Sequence, residues 1–232
     1  MEILHNGFTL DTPGDCFPLT TDSMLLAGIV KPERNARLLD LGSGCGTLGV
    51  LLCARNESCT VTGVEISEGA HKAAQENICR NGLSSRLFSI CADIRNIPQE
   101  IQPGSFDICV SNPPYFTGGF PAAGDSRTRS DATCPPEALC SAAAKALRWG
   151  GYFYLVHKPD KLAQLCACTT QAGLEPKELT LVRHTKDAPI SLILLRCKKG
   201  AKPGLTVTEL TLREPDGTPT AQYRKLYCME EA

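Results

Sequence analysis

Long apolar runs are missing from this chain of 232 residues. No stretch approaches the about 18 apolar residues that suggest a membrane-spanning helix, so no membrane partner is expected. The N-terminal run Met1-Glu2-Ile3-Leu4-His5-Asn6 has neither a basic region nor an apolar core, and does not read as a secretory signal peptide. A surplus of charge is missing too. Twenty-four basic side chains face 25 acidic ones, a formal net charge of −1, so nothing global draws the chain to nucleic acid. Histidine is scarce: His5, His71, His157 and His184 are scattered, without metal-ligand spacing. No metal is expected. His157, at the end of an apolar run, reads as a structural histidine. Internal repeats and low-complexity linkers are absent, and no obligate protein partner is evident.

Cysteine is the exception to this scarcity. There are 13, an odd number, yet no Cys-x-x-Cys pair; the closest two are Cys166 and Cys168. A zinc site or a disulfide framework needs other spacing. Most sit in apolar runs (Cys53, Cys79, Cys91, Cys109, Cys197). They read as small hydrophobic filler in a reducing cytoplasm.

Apolar runs alternate with helical patterns. Strands are predicted at 37–41, 60–65, 87–91, 106–110, 152–157, 179–183 and 190–197, the last two pairing antiparallel. Helices are predicted at 47–56, 68–80, 136–148 and 160–172; the second stops at Asn81-Gly82 and the last at Gly173. This alternation predicts an α/β fold with a doubly wound, mostly parallel, seven-stranded sheet. Right-handed crossovers then bring the C-terminal ends of the parallel strands to one edge. Residues 1–30 read as an extension, with a hairpin over Ile3–Leu10 and Asp11-Thr12-Pro13-Gly14, then a short helix at Ser23–Val30. Residues 31–232 form the main domain. A strand-like segment at Leu205–Leu212 and a last helix from about Thr220 lie outside the sheet unit. The segment 116–135 is too long for a routine connection and reads as a functional loop.

The first sheet strand runs into Asp40-Leu41-Gly42-Ser43-Gly44-Cys45-Gly46-Thr47. Gly42, Gly44 and Gly46 allow a tight turn and close approach of a ligand, and the next helix aims its N-terminal amides at it. The spacing alone is ambiguous. Gly44–Gly49 also fits the dinucleotide pattern, and Glu65 lies 19 residues past Gly46. A nicotinamide or flavin site fits these residues as well. Three acids separate the readings. Asp40 suits a cationic ligand and would repel a pyrophosphate. Glu65, followed by Ile66, can accept from two ribose hydroxyls. Asp93, followed by Ile94, can accept from an exocyclic amine, or can simply cap a turn at 94–97. A cationic amino-acid end, a ribose and an adenine, in that order, describe S-adenosylmethionine.

The strand at 106–110 ends in Ser111-Asn112-Pro113-Pro114-Tyr115. Two consecutive prolines cannot continue a central strand. An amide, a stiff backbone and an aromatic ring therefore meet at the edge where open α/β sheets bind ligands. The Asn112 side-chain oxygen and the Pro113 carbonyl can accept both hydrogens of a planar amino group. Tyr115, helped by Phe116, can stack on a flipped-out base. One local basic patch, residues 183–202, carries Arg183, Lys186, Arg196, Lys198, Lys199 and Lys202 against Asp187 alone. It suits phosphates or, equally, a solvated sheet edge.

These motifs together resemble the class I S-adenosylmethionine-dependent methyltransferases that act on amino groups. Within them the chain is most similar to the bacterial valine-tRNA adenine-37 N6-methyltransferases. The supporting stretches are Leu19-Thr20-Thr21-Asp22-Ser23-Met24-Leu25-Leu26, Thr128-Arg129-Ser130-Asp131, Val156-His157-Lys158-Pro159, Lys202-Pro203-Gly204-Leu205 and Tyr223-Arg224-Lys225-Leu226-Tyr227. Asp131 stands where that family usually has glutamate, and Cys134 and Cys140 are atypical. The resemblance implies a Rossmann-like fold, S-adenosylmethionine as methyl donor, S-adenosylhomocysteine as product, and a tRNA partner. It implies catalytic roles for Asn112, Pro113 and Tyr115. Cofactor contacts are expected from Thr21, Asp22, Asp40, Gly42, Gly44, Gly46, Glu65, Ile66, Asp93, Ile94 and Asn112. Substrate contacts are expected from Phe116, Arg127, Arg129, Lys198 and Lys199. The rival acceptors are a glutamine amide in a protein such as a peptide-chain release factor, or an rRNA or DNA amino group.

Overall fold

The computed structural model describes residues 2–4, 7–13, 16, 18–114 and 134–227. Along the chain they form β1 (Glu2–Ile3), β2 (Thr9–Leu10), α1 (Thr21–Ile29), β3 (Arg37–Leu41), α2 (Thr47–Arg55), β4 (Thr60–Glu65), α3 (Glu68–Arg80), β5 (Leu87–Cys91) and β6 (Phe106–Ser111). They continue with α4 (Pro136–Ala146), β7 (Leu147–His157), α5 (Leu162–Gln171), β8 (Leu174–Arg183), β9 (Ile190–Lys199), β10 (Thr206–Thr211) and α6 (Ala221–Tyr227).

Strands β3 to β10 make one sheet in the order β10-β8-β9-β7-β6-β3-β4-β5. Among the described residues β9 alone runs against the rest, pairing antiparallel with β7 and β8. The expected α/β, mostly parallel architecture is present, with eight strands rather than seven. The extra one is β10, which the sequence placed outside the sheet and which pairs parallel to β8 along Thr206–Thr211. Its residues are mostly exposed, so it carries no buried-strand signature.

Side chains of the central strands alternate between two cores, as the pleat requires. Leu38, Ile108, Val110, Tyr154, Val156 and Leu194 face α1, α2 and α6. Leu39, Cys109, Phe153, Leu155, Ile193 and Leu195 face α4 and α5. Cys53, Cys59, Cys109, Cys140, Cys168 and Cys197 are buried as free thiols, whereas Cys79 and Cys91 are exposed, against expectation. Both fall where an amphipathic helix or an edge strand turns a residue to solvent.

Several boundaries differ from the sequence reading. The N-terminal hairpin reverses inside Leu4–Phe8, where Leu4 N donates to Phe8 O, rather than at 11–14. Helix α4 ends at Ala146, and β7 begins at once, running through Gly150-Gly151 with a bulge opposite β6. Strand β8 begins at Leu174, its Pro176 lying where the pairing shifts register.

Candidate active site

The strand order reverses between β3 and β6, and ligands bind at that crevice in open α/β sheets. A cleft lies there, enclosing about 140 Å³ and opening to solvent. Its floor is Asp40 with the loop Gly42–Thr47. One wall is Asn112-Pro113-Pro114, and the other is Pro18, Thr20, Asp22 and Ser23.

The loop has the backbone that its glycines permit: Gly42, Gly44 and Gly46 have φ of 77°, 54° and 83°. Gly46 caps α2 in the left-handed conformation. Gly42 N and Ser43 N both donate to Val64 O, at 2.9 and 3.1 Å, tying the turn to β4. A side chain at Gly63 would collide with this turn, since a Cβ there would stand 2.7 Å from Ser43 Oγ.

Asp40 is 1% exposed, and neither carboxylate oxygen has a hydrogen-bond partner among the described residues. Burial pushes its carboxyl up to about 8, with repulsion from Glu65 adding to the effect. An orphaned buried carboxylate at the floor of a cleft is costly by itself and is relieved by a cationic ligand. Glu65 is already engaged by backbone: its Oε2 accepts from Gly44 N and its Oε1 from Ser67 N, both at 2.8 Å. It fixes the glycine loop, and each oxygen keeps a lone pair for a further donor.

Asn112 follows β6 directly. Its Nδ2 donates to Ser23 Oγ at 2.9 Å, anchoring that end of the amide on α1 and leaving Oδ1 as the accepting end. Ser111 Oγ donates to Leu41 O at 2.7 Å, locking the ends of β6 and β3 together beneath the cleft. Burial raises the Asp22 carboxyl, opposed by the charge of Lys158 at the end of β7. His157 is fully buried, and its Nδ1 accepts from Lys158 N at 2.8 Å, the structural role expected of it.

The structure brings Asp22, Asp40, Gly42, Gly44, Asn112 and Pro113 together around the cleft. Gly46 belongs to the same loop, and Thr21 opens α1 beside the lining residue Thr20. Glu65, Ile66, Asp93 and Ile94 stand further along the same edge, after β4 and β5. Ile66 is half exposed. Asp93 caps the 3-10 turn Ile94–Asn96 and is ion-paired with Arg95 at 2.6 Å, which holds its carboxyl below the usual range. Tyr115, Phe116, Arg127 and Arg129 lie outside the described residues.

Lys198 and Lys199 do not join the cleft. Arg183 pairs with Ile190 and Leu174 with Lys199. The two ends of the 183–202 segment are therefore separated by nine strand steps, about 30 Å. Arg183 and Lys186 stand on the cleft edge, and Lys198 and Lys199 on the opposite one, so the basic residues do not form one patch. Lys199 has a structural task there: its Nζ donates to Ala144 O and Leu147 O, at 2.6 and 2.8 Å, capping α4. Lys198 lies 5.1 Å from the Tyr152 ring centroid.

Sequence reasoning missed Ser23, Ser43, Thr47 and Pro18 as lining residues. Ser23 reads locally only as a helix-start residue; its partner is 89 positions away.

A family model described as the methyltransferase small domain matches residues 19–165. The chain belongs to this methyltransferase family. A curated relative from Tolumonas auensis, named tRNA1(Val) (adenine(37)-N6)-methyltransferase, is 32% identical over 93% of this chain and 90% of its own. A relative of the same name from Shewanella sp. (strain MR-4) is 28% identical over 97% of each chain. Among solved structures, a predicted O-methyltransferase from Agrobacterium tumefaciens superposes with a TM-score of 0.75 at 23% identity, covering 90% of this chain and 96% of its own. A geranyl diphosphate methyltransferase solved in complex with SAM gives 0.56 at 14% identity, covering 76% and 84%. Those two likenesses establish the methyltransferase fold of the chain. Among the described residues, no helix is long and apolar enough to cross a membrane.

Proposed function

We propose that this methyltransferase moves a methyl group from S-adenosylmethionine to the 6-amino group of an adenine in tRNA, at position 37 of a valine tRNA. The observation that carries the acceptor is the near full-length match to relatives bearing that name. The observation that supports the donor is the Asp40 carboxylate, without a hydrogen-bond partner among the described residues, at the floor of a glycine-lined cleft. A buried acid without a partner fits the ammonium of an amino-acid end, and Glu65 has lone pairs left for ribose hydroxyls. Asp93 and Ile66 are assigned the adenine end. When bound, the sulfonium supplies an electrophilic methyl group.

The chain's own residues do the rest by placement. An adenine amino nitrogen is a weak nucleophile because its lone pair is delocalised into the ring. Asn112 Oδ1 and the Pro113 carbonyl accept its two hydrogens, which favours the pyramidal, nucleophilic form. Ser23 holds the Asn112 amide with Oδ1 turned away from α1. Such pre-set acceptors act by positioning and electrostatics, and removing one from a comparable site costs about 3 kcal/mol. The nitrogen sheds its proton after transfer, so no strong base is required. Tyr115 is assigned to stack on the base, with Phe116, Arg127 and Arg129 on the RNA side. A reducing, cytoplasmic setting is consistent with the buried free thiols.

The test is to incubate the protein with methyl-labelled S-adenosylmethionine and, separately, unmodified tRNA, rRNA and a peptide-chain release factor. Label is expected in tRNA, released as N6-methyladenosine on digestion. Label on a release-factor glutamine, or on rRNA alone, would overturn the acceptor.

A further inference from the structure

Helix α3 grips the N-terminal segment and the glycine loop through two asparagines one turn apart. Asn77 is fully buried and has all its hydrogen-bonding capacity filled. Its Oδ1 accepts from Asp11 N at 2.9 Å and from Arg80 Nη1 at 3.4 Å. Its Nδ2 donates to Asp11 O at 2.9 Å and to Cys45 O at 3.0 Å. Asn81 repeats the pattern: Oδ1 accepts from Thr9 N, and Nδ2 donates to Thr9 O and Asn77 O, each at 2.7 Å. The geometry explains the spacing. Four helical residues advance about 6 Å, and two extended residues advance about 6.6 Å. Asparagines at i and i+4 therefore meet residues 9 and 11 as a neighbouring strand would. An Arg80–Asp11 ion pair at 3.7 Å reinforces the junction.

We infer that Asn77 and Asn81 are positioning residues for the cofactor cleft, setting its glycine-loop floor and one of its walls from one helix face. Asn77 holds Cys45 O, inside the loop Gly44-Cys45-Gly46, and thereby the amides on either side of it. The same side chain, with Asn81, holds Thr9–Asp11, the lead-in to Pro18 and Thr20 on the facing wall. Neither asparagine lines the cleft; each acts through backbone that does or that leads to it. This inference rests on the reading that the cleft takes S-adenosylmethionine.

S-adenosylhomocysteine is the probe, titrated calorimetrically into the full chain. Asn81→Ala releases Thr9 and keeps the Asp11 and Cys45 contacts of Asn77; its dissociation constant is expected to rise about fivefold, and that of Asn77→Ala about twentyfold, by loss of preorganisation. Turnover at saturating donor and tRNA should fall less than threefold in Asn81→Ala, since Asn112 is untouched. If Asn77→Ala does not fold, Asn81→Ala carries the test alone. Folded variants that bind S-adenosylhomocysteine as tightly as wild type, with only a lower melting temperature, would overturn the inference and leave the asparagines a purely structural role. Failure of the wild-type protein to bind S-adenosylhomocysteine would instead remove the cofactor reading beneath it.

Discussion

Replacing Asp40 by Asn should make the ligand-free protein more stable and spoil donor binding. The Asp40 carboxyl rises from the ordinary 3.8 to about 8 on folding, through burial first and the Glu65 charge second. The folded state therefore holds a proton that the unfolded state gives up between those values. Where the unfolded chain binds fewer protons, stability falls as pH rises. Little is lost near pH 4; the loss grows through pH 7 and levels off above about 8. At pH 7 roughly three pH units of this loss have accumulated, on the order of 4 kcal/mol at about 1.36 kcal/mol per unit. An amide does not titrate, and its unmet hydrogen bonds resemble those of the protonated acid, so that contribution largely cancels. For a chain of this length 1 kcal/mol is about 2–4 °C in melting temperature. Asp40→Asn should thus melt about 10 °C above wild type at pH 7, with the gap closing towards pH 4–5. Thermal unfolding of both proteins from pH 4.5 to 8.5 measures it, and other titrating groups cancel in the difference. The same variant should bind S-adenosylmethionine at least tenfold more weakly. A pH-independent gap, or an Asn variant no more stable than wild type at pH 7, would show that the Asp40 charge is compensated in the folded protein.

Other expectations concern the walls and edges of the cleft. Ser23→Ala frees the Asn112 amide at the cost of one hydrogen bond, so kcat should fall about fivefold with the donor KM unchanged; steady-state kinetics decide, and an unaltered kcat would remove Ser23 from the positioning of Asn112. Gly63→Ala drives a Cβ into Ser43 and should cost about 1–3 kcal/mol in chemical denaturation, with weaker donor binding; a variant as stable as wild type would mean that the turn yields freely. Lys199→Ala uncaps α4 and should cost about 1–2 kcal/mol while leaving RNA affinity within twofold; a clear loss of RNA affinity would return that edge to the substrate.

The parts of the site that were legible in the sequence are those encoded by neighbours in the chain. Glycines that need positive φ, an acid two residues before them and prolines that stop β6 are local signals, and all meet at one sheet edge because parallel strands share it. The unread parts depend on partners far apart in sequence. Ser23 and Asn112 are 89 residues apart, Asn77 and Asp11 are 66 apart, and Lys199 caps a helix 52–55 residues earlier. No periodicity marks such pairs. The 183–202 charges looked like one patch because a sequence shows proximity along the chain, whereas antiparallel pairing sends the ends of a hairpin to opposite edges. The segment of β10 read as strand-like, but its place in the sheet escaped, because an exposed edge strand has little hydrophobic pattern to mark its neighbours.

Methylation of two valine-tRNA transcripts, one with A37 and one with G37, by wild type and by Asn112→Ala, bears most directly on the proposed chemistry. Wild type should form N6-methyladenosine at position 37 of the first transcript and none in the second. Asn112→Ala should lose at least a hundredfold in kcat while binding S-adenosylhomocysteine nearly as well as wild type. Equal labelling of both transcripts, or wild-type turnover by the variant, would contradict it.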